Sequence, residues 1–155
     1  MGDLAGLLTP DRVRIGVDAR SKRQVLQRLA DDFAGDLGLP AADLLRALLE
    51  REKLGTTGIG EGLAIPHAKL AEIDRVAGFF MRLDEPVDFD ALDERAVDLV
   101  FCLLAPADLG AEHLKALARV ARTFRDADLC ARLRAAPTPA AVFDLLVPPA
   151  ASSAA

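Results

Sequence analysis

"VDLVFCLL", residues 97–104, holds one charged residue, Asp98, in an otherwise unbroken apolar run. A strand with one face in water alternates apolar and polar residues, whereas a run without alternation needs cover on both faces. The segment therefore predicts a strand at the centre of a sheet, with helices packed above and below. That cover has to come from the sequence on either side.

Both sides supply it. In "RVRIGV" (12–17), Val13, Ile15 and Val17 alternate with polar or small residues, and "RVAGFFMRL" (75–83) is a second apolar strand. Between them, "SKRQVLQRLADDFAGDLG" (21–38) opens on a capping-box pair, Ser21 and Gln24. Val25, Leu26, Leu29, Ala30 and Phe33 follow at helical spacing, and Gly38 is the stop. "AADLLRALLEREK" (41–53) predicts another helix with Leu44, Leu45, Leu48 and Leu49 inward. "EPVDFDALDER" (85–95) reads as a short strand or a turn-rich connection. From Gly110 the pattern turns helical, with Leu114, Leu117, Ala118, Ala121 and Phe124 expected on one buried face. "DADLCARLRAA" (126–136) and a last helix capped by Thr138, with Pro139 in its first turn, complete the chain. Strands interleaved with helices around a doubly covered strand predict a three-layer α/β/α sandwich with a mixed four- or five-stranded sheet.

The 155 residues suit one domain, expected over 4–146, and "VPPAASSAA" (147–155) reads as a disordered tail. Seven Phe with neither Trp nor Tyr leave Leu, Val, Ile and Ala to build the core. A net charge of −5 argues against nucleic acid, whose backbone is bound by clustered Lys and Arg. No apolar run reaches the roughly 18 residues of a membrane span, and "MGDLAGLLTPDR" lacks a signal peptide's basic start, so a cytoplasmic protein without membrane insertion is expected. Cys102 and Cys130 form no C-x-x-C pair and read as small buried hydrophobes.

"TTGIGEGLAIPHAKL" (56–70) leads through several glycines to one of only two histidines. The spacing fits neither a nucleotide P-loop nor a dinucleotide fingerprint, because "LAIPH" follows where a helix should begin. What remains is a turn whose amides, at Gly58, Gly60 and Gly62, can approach an anion closely. Pro66 restricts Ile65 and constrains the backbone that presents His67. A neutral imidazole is a nucleophile near neutral pH and can accept and pass on a phosphoryl group. Arg51 and Thr57 are candidate partners for phosphoryl oxygens, and His113 is placed to orient the reacting ring from across a pocket. Each has a plainer alternative. A loop histidine is more often an ordinary polar residue, Arg51 in "REK" a solvated charge, and His113 a partly exposed residue at a helix start. No spacing suggests metal ligation.

"REKLGTTGIGEGLAIPHAKL" (51–70) resembles the active-site signature of the enzyme IIA components of the bacterial phosphoenolpyruvate phosphotransferase system, fructose/mannitol class, with the nitrogen-regulatory branch the best match. "PVDFDALDERAVDLVFCLLAPAD" (86–108), "HLKALARVARTFRD" (113–126) and "CARLRAA" (130–136) continue the likeness in one register. The resemblance implies that His67 is phosphorylated, usually at Nε2, by an HPr-like phosphocarrier. It implies that Arg51 and His113 line the same pocket, that Thr57 and the loop amides contact phosphate, and that no nucleotide or metal cofactor takes part. Members of the nitrogen branch regulate other proteins, potassium-transport and sensor components among them. Sugar-specific members instead pass the group to a cysteine on a permease-linked domain. A lone domain and "REK" followed by "TGIG" favour regulation; the alternatives are sugar uptake, or a binding module in which phosphorylation is idle. Ala68, often glycine in relatives, is a small departure.

Overall fold

The computed structural model of the protein describes residues 3–149. Its strands are β1 (Val13–Val17), β2 (Gly58–Gly60), β3 (Leu63–Ala64), β4 (His67–Leu70), β5 (Ala77–Val87) and β6 (Val97–Pro106). Its helices are α1 (Lys22–Phe33), α2 (Ala41–Lys53), α3 (Gly110–Thr123), α4 (Ala127–Ala135) and α5 (Pro139–Leu146). Of the expected tail, 150–155 lie outside the described residues.

The sheet runs β1-β5-β6-β3-β2, with β4 also on β6. It is mixed: β1 is parallel to β5, β5 antiparallel to β6, and β3 and β4 both parallel to β6. Leu63 sits opposite Leu99 and His67 opposite Leu103, so β3 and β4 keep one register and form a single line interrupted at Ile65 and Pro66. Six segments thus fill five positions across the sheet, and the expected count holds when the interrupted line is taken as one strand.

β6 is the doubly covered strand its sequence demands. Val100, Cys102 and Leu104 pack with Leu26, Phe33, Leu48 and Phe79 beneath α1 and α2. Leu99, Phe101 and Leu103 pack with Val120, Leu133 and Leu146 beneath α3, α4 and α5. Each large side chain withdrawn from water in this way contributes about 1.5–3 kcal/mol. Cys102 and Cys130 are buried and unpaired, as read from the sequence, and burial pushes both thiols up in pKa.

Helix ends follow the sequence closely. Ser21 Oγ accepts from Gln24 N at 3.1 Å and Thr138 Oγ1 from Ala141 N at 3.1 Å, each satisfying an amide left over by its helix. Gly38 takes a left-handed φ of 69°, closing a short 3₁₀ turn after α1. Residues 85–87 continue β5, and the rest of "EPVDFDALDER" up to Arg95 is a connection.

Two expectations are corrected. The buried stripe of α3 is His113, Ala116 and Val120, while Leu114 is 69% exposed. Leu117, Ala121 and Phe124 of the expected face do pack on this core, whereas Leu114 and Ala118 stay outside, so the face that meets Leu99, Phe101 and Leu103 of β6 is centred to one side of the expected one. The glycine-rich segment is not a free turn but an antiparallel hairpin of β2 and β3, turning at Glu61 and Gly62 with φ of 59° and 80°.

Candidate active site

The break in the β3–β4 line creates the site. Ile65 N donates to Thr57 O at 2.9 Å and Leu103 N to Pro66 O at 2.9 Å, so the break stays tied to the hairpin on one side and to β6 on the other. His67 resumes the line at the first position of β4, half-buried. Its ring Nδ1 is 2.7 Å from Ile65 O, and Nε2 is 3.1 Å from Arg51 Nε. A guanidinium only donates, so Nε2 must offer a lone pair and Nδ1 must carry the proton given to the carbonyl. The tautomer is thereby fixed by its two partners.

Arg51 stands in the last turn of α2 and is itself held, its Nη1 donating to Gly55 O at 2.9 Å. Burial lowers the pKa of His67, and the Arg51 charge lowers it further, against the Ile65 carbonyl and the Glu52 carboxylate. The ring is neutral at neutral pH, with its free electron pair on the side facing α2.

His113 comes from the first turns of α3 and is 4% exposed, and the two imidazole centroids are 5.5 Å apart. Burial first, then His67 and Lys69, lower its pKa. Its Nδ1 is buried and, among the described residues, has no hydrogen-bond partner, a costly state for a polar atom unless something else arrives to use it. Arg51, His67, Lys69 and His113 line one depression of about 550 Å³, with Leu54 and Leu114 on its rim. Three of the residues singled out in the sequence are thus brought together.

The others are not. Thr57 is 3% exposed, and its amide and hydroxyl donate at 2.9 and 2.7 Å to the two carboxylate oxygens of Glu52, which leaves it no donor for a phosphate. The Gly58 amide is taken by Thr56 Oγ1 at 3.0 Å. A Cβ on Gly60 would stand 3.1 Å from the Asp93 carboxylate, and one on Gly62 would stand 2.6 Å from Arg134 Nη2 and 3.0 Å from Asp98 Oδ1. These two glycines serve the hairpin turn and its packing on α4, before the start of β3, whereas His67 lies beyond the break in the β3–β4 line. Sequence reasoning passed over Glu52 and Lys69. Glu52 had no signal beyond its place beside Arg51, whereas Lys69, two residues after His67 on a strand, shares its face. Among the described residues no cluster of His, Cys, Asp or Glu is suited to a metal ion, and no helix is long and apolar enough to cross a membrane.

An open mixed sheet with helices on both faces, carrying a histidine and an arginine at the broken end of one strand, is the α/β fold of enzyme IIA domains. A crystal structure of nitrogen regulatory protein IIA-Ntr from Neisseria meningitidis superposes with a TM-score of 0.87 at 33% identity, covering 91% of this chain and 97% of that one. The chain belongs to the family "Phosphoenolpyruvate-dependent sugar phosphotransferase system, EIIA 2", whose model matches residues 6–147. Among curated relatives, a nitrogen regulatory protein of Bradyrhizobium diazoefficiens is 45% identical over 151 residues, 97% of this chain and 99% of that protein. One from Escherichia coli (strain K12) is 41% identical over 144 residues, 92% of this chain and 88% of that protein. The resemblance read from residues 51–70 therefore holds, and the chain is a phosphocarrier of the phosphotransferase system.

Proposed function

We propose that this chain serves a nitrogen-regulatory phosphotransferase system, taking a phosphoryl group onto Nε2 of His67 from an HPr-like phosphocarrier and acting on partner proteins through its phosphorylation state. One observation carries the proposal: Nε2 holds a lone pair 3.1 Å from a guanidinium, while Nδ1 keeps its proton on a carbonyl. Identity of 41–45% with nitrogen regulatory proteins supports the regulatory role over sugar uptake.

In the transfer, the Nε2 lone pair attacks the phosphorus of the donor's phosphohistidine in line. The donor N–P bond breaks and its electron pair returns to the donor ring. The Arg51 N–H that held the lone pair turns to the phosphoryl oxygens, and His113, its ring centroid 5.5 Å from that of His67 in the same depression, orients the group from the α3 side. The transferred group adds net negative charge beside exposed Leu54 and Leu114, which changes the surfaces that can dock there. Potassium-transport and sensor components are the class of target this reading assigns.

Labelling with radioactive phosphoenolpyruvate, the upstream enzyme and its carrier tests the proposal. Wild type becomes labelled and a folded His67→Ala does not; equal labelling of the two overturns it. Pulldowns with wild type, His67→Ala and His67→Asp then test regulation, which fails if partner binding is the same for all three.

A further inference from the structure

Glu52 is a carboxylate only 6% exposed, one residue from the arginine that touches His67. Both of its oxygens are engaged: Oε2 accepts from Thr57 N at 2.9 Å and from Lys22 Nζ at 3.0 Å, and Oε1 accepts from Thr57 Oγ1 at 2.7 Å. A buried charge is tolerated only when it is paired and its lone pairs are used, and here α1, α2 and Thr57, the residue just before β2, all contribute to that condition. The contacts do not end at Thr57. Its carbonyl accepts from Ile65 N at 2.9 Å, and the Ile65 carbonyl accepts from His67 Nδ1 at 2.7 Å.

We propose that Glu52 is a positioning residue for His67, acting through Thr57 and Ile65 to hold the ring nitrogen opposite the reactive one, and balancing the Arg51 charge on its other side. The hydrogen bonds form one series from a fixed carboxylate to the imidazole, with only two residues between its ends. A second series leaves the same turn of α2: Arg51 Nη1 to Gly55 O, and Arg51 Nε to His67 Nε2. Glu52 thus braces one edge of the ring, next in sequence to the arginine that meets the other. A neutral, apolar packing of the same turn would place the backbone, but it would supply no negative charge against Arg51.

Charge is what separates this role from simple bracing. The titratable and charged groups facing His67 are Arg51, Glu50 and Glu52 from α2, Lys69 from its own strand and His113 from α3. Arg51 disfavours a proton on the ring and Glu52 favours one. Glu52→Gln preserves the shape of the clasp, because its amide oxygen accepts from Thr57 N while its amide nitrogen donates to Thr57 Oγ1. It removes only the charge.

The inference deepens the reading of His67 as the phosphoryl acceptor and rests on it for the effect on transfer, but ring placement is measured in the unphosphorylated protein. Imidazole ¹⁵N NMR of wild type, Glu52→Gln and Glu52→Ala is followed through pH. Wild type and Glu52→Gln show the Nδ1–H tautomer, with the Glu52→Gln titration moved to lower pH. Glu52→Ala loses the tautomer preference, and phosphoryl transfer slows on the order of tenfold or more, with Glu52→Gln recovering most of that loss. A Glu52→Ala protein that melts earlier while tautomer, titration and rate stay at wild-type values overturns the proposal. Should Glu52→Ala fail to fold, Glu52→Gln and Thr57→Val decide by the same signals: an unmoved titration in the first and an unmoved tautomer in the second overturn it. Absence of label on wild-type His67 would defeat the functional reading and leave the NMR result on Glu52 standing.

Discussion

Arg51 Nε and His67 Nε2 lie 3.1 Å apart, a helix-borne guanidinium covering the lone pair of a strand-borne imidazole. The resting site is therefore closed on itself. An incoming electrophile must displace that N–H before it reaches the nitrogen, and the displaced donor is then already beside the oxygens that arrive.

Arg51→Lys should slow phosphorylation of His67 by on the order of a hundredfold, because an ammonium reproduces neither the fixed Nε–H nor the second link to Gly55 O. The side chain is only half-buried, so the fold should survive. Initial rates of label incorporation, with circular dichroism as the control, measure both.

Stability should fall on acidification. His67 and His113 both bind a proton less readily in the folded chain than the ordinary value of 6.5, burial being the main cause for each. Around and below 6.5 the unfolded chain therefore holds more protons than the folded one. The contribution is whole above that value and is lost progressively as pH falls from it through the lowered native values. Denaturant midpoints taken from about pH 8 to about pH 5 should decline, and His113→Leu should flatten the curve.

Gly78→Ala should destabilise by about 1–3 kcal/mol through overpacking. A Cβ there would stand 2.6 Å from Phe101 Cζ and 3.1 Å from Leu7 O, against a ring at the centre of β6 and the backbone of the N-terminal segment. Urea unfolding measures the loss; a midpoint equal to wild type would show that the ring can yield.

Arg134→Met should cost about 0.5–1.5 kcal/mol by removing the hydrogen-bonded partner of the part-buried Asp98 carboxylate. Its Nε lies 2.9 Å from Asp98 Oδ2, and its Nη2 donates to Glu61 O at 3.0 Å, tying α4 to the hairpin turn. Label incorporation at His67 should stay near wild type, since the hairpin turn contributes nothing to the pocket. A large loss of transfer would restore Gly60 and Gly62 to the phosphate site.

What the sequence revealed was local. β6 announced itself because eight residues in a row lack alternation, and α1 and α5 because Ser21 and Thr138 precede amides that need an acceptor. Arg51 and His67 could be paired because only a turn and a short hairpin separate them. On α3, Leu117, Ala121 and Phe124 pack as their spacing implied, but Leu114 and Ala118 stay outside while the surface of β6 takes Ala116 and Val120, and His113 follows them inward. The glycines looked available because their neighbours, Asp93, Asp98 and Arg134, come from far along the chain. In "REK" nothing marks which charge turns inward; Thr57 and Lys22 decide that only once α1, α2 and the hairpin have met.

The acceptor that holds Nδ1 of His67 belongs to the main chain, so no substitution at position 65 short of a backbone change can delete it. An imidazole loaded on one nitrogen while the other keeps its hydrogen departs as an uncharged leaving group. Unloading then calls for no outside acid, and giving the group away is chemically the mirror of receiving it.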